Sequence, residues 1–203
     1  RDEVAVQAAD STEWLDDLAD VSHWLGFLEY LNDNHLQSVI EYRTAAEAAR
    51  KWAAASPNDS EPRWKLTDSL VNAGNALFNY RKYREADAAY REAVDVISKV
   101  VAKHPSEKYR RTEILAMVQL ANVLRFTGTA VEQVHVARAA YRSALILAQR
   151  HTADNARLLV TTRTTLALSL LRLSSETAPV WRLLELHIEP EPVGPEGEMG
   201  SKE

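Results

Sequence analysis

The chain has no cysteine among its 203 residues. That excludes a disulfide scaffold, a thiolate metal site and a cysteine nucleophile. Glycine and proline are scarce: six Gly and seven Pro, of which Gly194, Gly197, Gly200, Pro190, Pro192 and Pro195 crowd the last fourteen residues. So few breakers over residues 1–189, among many Ala, Leu, Arg and Glu, leave helix as the dominant expectation. No Asn-Gly or Asp-Gly hairpin turn and no sustained alternation of apolar and polar residues occurs, which argues against strands. Apolar runs all fall short of the roughly 18 residues a membrane-spanning helix needs. The start, Arg1-Asp2-Glu3-Val4, has neither Met nor a signal-peptide pattern. It reads as an internal start, so the chain is expected to be a piece of a larger, cytoplasmic protein.

Catalytic signatures are missing too. The histidines stand at 23, 35, 104, 135, 151 and 187. No two are spaced i,i+4 and no His-Glu-x-x-His occurs, so a helical zinc site has no support. Gly26 and Gly74 stand alone, so there is no glycine-rich phosphate loop, and no Gly-x-Ser-x-Gly elbow is present. Glu13, Asp16, Asp17 and Asp20 share a helical face that attracts cations, but a solvated helix turn is the simpler reading. The expectation is a protein without catalytic activity, cofactor or metal.

What is present is a repeat. The helical stretches are broken at Pro57–Pro62, at Pro105, at the polar "HTADN" of 151–155 and at Pro179. In the second stretch, Leu70, Ala73, Gly74 and Leu77 share one helical face. The turn Tyr80-Arg81-Lys82 follows, and then Ala86, Tyr90 and Ala93 share a face of the next helix. The same order occurs 48 residues upstream, where Leu25-Gly26 precedes Ser38, Tyr42 and Ala45. Downstream, Met117, Leu120-Ala121 and Leu124 precede Gly128 in the turn, and Ala137, Tyr141 and Ala144 match if that turn carries four extra residues. The signature of a fourth first helix appears at Leu166-Ala167 and Leu170, with Arg163 replacing its leading apolar residue and a poor or missing second helix behind it. Gly26 and Gly74 let the first helix of each unit approach the second, and the Tyr ring fills the gap.

This pattern of Gly26, Tyr42, Gly74, Tyr90, Ala121 and Tyr141 resembles the tetratricopeptide repeat (TPR) signature over roughly residues 19–174. The period of 46–48 residues exceeds the usual TPR length of about 34. The excess is expected in the second helices, as in "YREAVDVISKVVAKHP". Long-period arrays of this kind look like those of kinesin light chains and those attached to nucleotide-binding (STAND-type) signalling proteins. The resemblance implies an all-α, right-handed α-solenoid. Its units would be 19–62, 63–108, 109–155 and a partial 156–174. Residues 1–18 would form a preceding capping helix, 175–188 a short helix, and 189–203 a flexible acidic Pro/Gly tail.

TPR arrays resemble one another in lining a concave groove with their first helices. Mapped here, that groove takes Trp24, Phe27 and Tyr30 from the first unit. The second contributes Asn72, Asn75, Phe78 and Asn79, the third Gln119, Asn122 and Arg125, and the fourth Thr161, Thr165 and Arg172. The amides could pair with the backbone of an extended ligand, the aromatics could take an apolar anchor, and Arg125 could meet a carboxylate. Two alternatives stand open: the aromatics belong to the core, or Asn75 bonds to the neighbouring repeat. The function expected is a non-catalytic adaptor that presents this groove to a peptide or partner protein, possibly another domain of the parent chain. A regulatory sensor domain of a nucleotide-switch protein and an RNA-binding helical repeat are the alternatives.

Charge is segregated along the chain. Residues 1–42 sum to −9, residues 43–172 to +9 and residues 173–203 to −5. Ordinary solvated faces, with the ends pairing loosely with the middle, are the simpler reading, and an anionic partner on the middle repeats is the alternative. Nucleic-acid binding through Arg81, Lys82, Arg84, Arg110 and Arg111 is disfavoured, because the chain is net acidic and lacks a dense basic-aromatic patch.

Overall fold

The structure, a computed structural model, describes residues 2–149 and 152–176, with side chains from Thr12 onward. Seven helices follow one another: α1 (Asp2–Leu31), α2 (His35–Ala55), α3 (Glu61–Asn79), α4 (Tyr83–Lys103), α5 (Glu107–Thr127), α6 (Ala130–Ala148) and α7 (Ala153–Glu176). Among the described residues there is no strand. Each helix packs mainly on its neighbours in the chain, and α1, α3, α5 and α7 also touch in series. The result is an array of helix pairs, α1/α2, α3/α4 and α5/α6, with α7 opening a fourth.

Local chemistry places the ends. Pro62 sits in the first turn of α3, where its missing N–H costs nothing, and Asp59 Oδ1 accepts from Glu61 N at 2.9 Å. Ser106 Oγ accepts from Tyr109 N at 3.2 Å, and Thr129 Oγ1 accepts from Glu132 N at 3.1 Å, so side chains cap α5 and α6. The turns after α1 and α3 use the left-handed backbone region at Asp33 (φ 59°) and Arg81 (φ 61°). The equivalent Gly128 instead adopts φ −117°.

Close approach within a pair rests on small residues. A Cβ added at Gly26 would meet Tyr42 Cδ1 at 2.9 Å, and one at Gly74 would meet Tyr90 Cε1 at 2.5 Å. Both rings are 2% exposed. Ala45, Ala46, Ala48, Ala49 and Ala53 are buried along α2, which lets that helix sit tightly between α1 and α3. Burial raises the Tyr42 hydroxyl to about 12 and shifts Tyr90 the same way, with smaller contributions from nearby acidic groups.

Three expectations need correction. First, the turn between α5 and α6 carries no insertion. The second helices begin at His35, Tyr83 and Ala130, steps of 48 and 47 residues, matching the Gly26, Gly74, Ala121 series. Ala137, fully buried, therefore holds the place of Tyr42 and Tyr90. Tyr141 does not: it lies one helical turn further on and is half-buried. The third pair replaces glycine against tyrosine with alanine (Ala121) against alanine (Ala137). Second, residues 1–18 are no separate capping helix, because α1 runs through the 18/19 boundary unbroken. Third, the extra length is shared by both helices of a unit, with 19 residues in α3 and 21 in α4. In α7, Ala167 falls at the place of Gly26, Gly74 and Ala121 and is exposed, in keeping with the absence of a described helix after α7 to cover it. Ser175 and Glu176, expected to open a separate short helix, belong to α7; the rest of that segment and the 189–203 tail lie outside the described residues.

Candidate functional site

A cavity of about 470 Å³ opens where α1, α3 and α5 meet, lined by Tyr30, Asn75, Phe78, Asn79, Tyr90, Gln119, Asn122 and Arg125. Most of these side chains stem from the first helices; Tyr90 reaches in from α4. An amide chain crosses the cavity floor. Asn75 Oδ1 accepts from the Tyr90 hydroxyl at 2.8 Å and from Gln119 Nε2 at 2.9 Å. Asn122 Nδ2 donates to Gln119 Oε1 at 3.2 Å, and Asn79 Nδ2 donates to the Tyr30 hydroxyl at 2.7 Å. Residues 44 and 49 positions apart thus tie three helix pairs together.

This network determines which polar groups keep free hydrogen-bonding capacity. Asn75 has its carbonyl committed twice, as the bonding-to-neighbour alternative anticipates. Asn72 lies at its edge, 3.5 Å from Asn75 Nδ2, and does not line the cavity. The carbonyl oxygens of Asn79 and Asn122 have no hydrogen-bond donor among the described residues. Arg125 is exposed at the rim, 5.0 Å from the Phe126 ring, and pairs with no acid there. Behind it, Phe126 stacks on Tyr83 with centroids 4.1 Å apart, and Phe78 closes the cluster edge-on at 5.7 Å from Phe126. Sequence reasoning missed the Tyr83/Phe126 pair, because neither belongs to the repeat pattern. It assigned Tyr90 a packing role only, although its hydroxyl enters the site.

Trp24 and Phe27 are placed elsewhere. They meet edge-to-face at 5.9 Å and are 63% and 39% exposed, so neither lines this cavity nor belongs to the core; Trp24 instead borders a recess between α1 and α3. The fourth unit contributes no groove either. Thr165 is buried and bonds back to Thr161 O at 3.0 Å. Arg172 is a clamp: it donates to Leu124 O at 2.9 Å, Gly128 O at 3.0 Å and Gln133 Oε1 at 3.1 Å, and pairs with Glu176 at 2.8 Å. It adds a second donor to Leu124 O, which already accepts from Gly128 N at 2.9 Å, and ties the end of α5 to α7.

A second, smaller recess joins α1 to α3. His23 Nε2 lies 3.5 Å from Asp68 Oδ2. Burial pushes the Asp68 carboxyl above its ordinary range, against the pull of His23 and Lys108. Lys65 pairs with Asp16 and Asp20, so the acidic face proposed for a cation is occupied by the chain's own ammonium. Further along, Lys108 sits 3.5 Å over the Trp64 ring and bonds Glu61 at 2.8 Å. Much of the basic middle is paired in this way: Arg43 with Glu85, Arg50 with Glu47 and Glu92, and Arg91 with Asp87 and Glu132.

Scans against known protein families, curated proteins and solved structures return no match to this chain. Geometry and chemistry carry the functional reading.

Proposed function

We propose that the chain is a non-catalytic protein-interaction module of a larger cytoplasmic protein, a right-handed TPR-like solenoid that takes an extended peptide in the groove across α1, α3 and α5. The TPR reading is supported by the sixteen-residue spacing of Gly26 to Tyr42 and Gly74 to Tyr90, each pair in contact across a helix crossing. Among the described residues no helix is long and apolar enough to cross a membrane.

One observation carries the binding reading: the cavity holds amides and aromatic rings around a single cation, Arg125, and no acid. Such a lining suits a peptide backbone with one anionic group, met by the guanidinium fork. Asn79 and Asn122 would accept from peptide N–H groups, and Phe78 would flank an apolar side chain.

Selection of a displayed random-peptide library on the intact chain tests this. Selected peptides are expected to be enriched in Asp, Glu or a free C-terminal carboxylate. They should bind the Arg125→Glu variant about tenfold or more weakly, a loss of about 1.4 kcal/mol. Peptides that bind both forms equally would remove Arg125 and this groove from the reading.

A further inference from the structure

The outer face of α1 carries an exposed apolar stripe, separate from the groove. Trp14, Asp17, Val21, Trp24, Leu28 and Leu31 follow one another at spacings of 3, 4, 3, 4 and 3 residues. That is the heptad seam of a helix that pairs with another helix. The apolar members are each between 54% and 63% exposed. The opposite face of α1 already packs into the array through Ala19, Ser22 and Gly26, which are buried. A helix apolar on both sides is built to be covered on both, and so large an exposed apolar stripe marks an interaction site.

Charge decides the occupant. Helix α1 holds eight acidic side chains and neither Lys nor Arg. Two copies pairing through this face would set acid against acid, which disfavours self-association. Asp16 and Asp20 are occupied by Lys65, but Asp17 within the seam and Glu13 beside it have no ion pair among the described residues. We propose that this face docks an amphipathic helix of another protein whose apolar seam is flanked by Lys or Arg. Basic flanks would meet Glu13 and Asp17, and the apolar seam would cover Val21, Trp24, Leu28 and Leu31.

Calorimetric titration of the intact chain tests this with a synthetic three-heptad peptide carrying Leu at its seam positions and Lys on its flanks. Its twin carries Glu on the flanks. The Lys peptide is expected to bind and the Glu twin to bind about tenfold or more weakly. The charge-preserving variant Val21→Ser/Leu28→Ser, checked for unchanged helicity, should lose about tenfold. Glu13→Gln/Asp17→Asn should also weaken binding, while Arg125→Glu should leave it unchanged, which separates this surface from the groove. No binding of the Lys peptide would overturn the proposal. So would binding indifferent to the serine variant, which would mean diffuse charge attraction. Sedimentation showing wild-type dimers that Val21→Ser/Leu28→Ser abolishes would overturn it in favour of a second copy.

Discussion

Replacing Gly74 with alanine sets two opposed effects against each other at one atom. Alanine in place of a mid-helix glycine favours the helix by about 1 kcal/mol. Against it, the new methyl would lie 2.5 Å from Tyr90 Cε1 and 2.8 Å from Cδ1 and Cζ. The ring has little room to yield: it is 2% exposed and its hydroxyl is bonded to Asn75. Overpacking of this kind costs about 1–3 kcal/mol, so Gly74→Ala is expected to lose up to about 2 kcal/mol net. At about 2–4 °C per kcal/mol for a chain of this size, Tm falls by up to about 8 °C. The decisive assay is a double-mutant cycle by thermal and urea unfolding. Tyr90→Ala is destabilising by itself, but it removes the three atoms nearest the methyl. In that background Gly74→Ala should change sign and stabilise by about 1 kcal/mol. The double variant reproduces the alanine–alanine combination that Ala121 and Ala137 already form in the third pair. Gly26→Ala, whose nearest contact is 2.9 Å, should be milder. If Gly74→Ala stabilised both backgrounds equally, glycine would not be there to admit the ring, and the packing argument for these helix pairs would fail.

Other residues give equally direct tests. Arg172→Ala should destabilise the chain by about 1.5–3 kcal/mol, since it strips charged donors from Leu124 O and Gly128 O. Arg172→Lys should recover little of this, because one ammonium cannot span both carbonyls as the guanidinium fork does. Equal Tm values for wild type and Arg172→Ala would refute the clamp. Asp68 gives a pH signature. Its folded-state carboxyl is raised by burial, so its favourable contribution is present below the ordinary Asp range and is lost as pH rises through the folded value. Asp68→Asn should therefore gain in Tm over the wild type between acidic and neutral pH; a less stable variant at neutral pH would show that attraction to His23 and Lys108 outweighs burial.

Local signals made much of the architecture readable from the chain alone. Pro62, Ser106 and Thr129 announce helix starts through side-chain and backbone chemistry confined to a few residues. Gly26 and Gly74, with a tyrosine sixteen residues on in each case, announce the helix crossings because a ring needs a gap. Tyr30, Asn75, Asn79, Gln119, Asn122 and Arg125 were legible as one site because equivalent positions of successive first helices must share a side of the array. Other matters depended on groups far apart in the chain. A tyrosine four residues from the right place made an insertion plausible in the third unit, and only the start of α6 showed that Ala137 fills the position. Arg172 read as a groove cation until its reach across 48 residues to the end of α5 appeared. Trp24 and Phe27 fit the groove by register, yet α1 ends the described array and turns them outward. Where the helices run and which residues make them pair follow from propensity, caps and periodicity along the chain. Which polar groups consume one another, and which keep free valences, follows only from how the helices stack. That outcome depends on the angle and offset at which helices stack, and no short-range pattern encodes it.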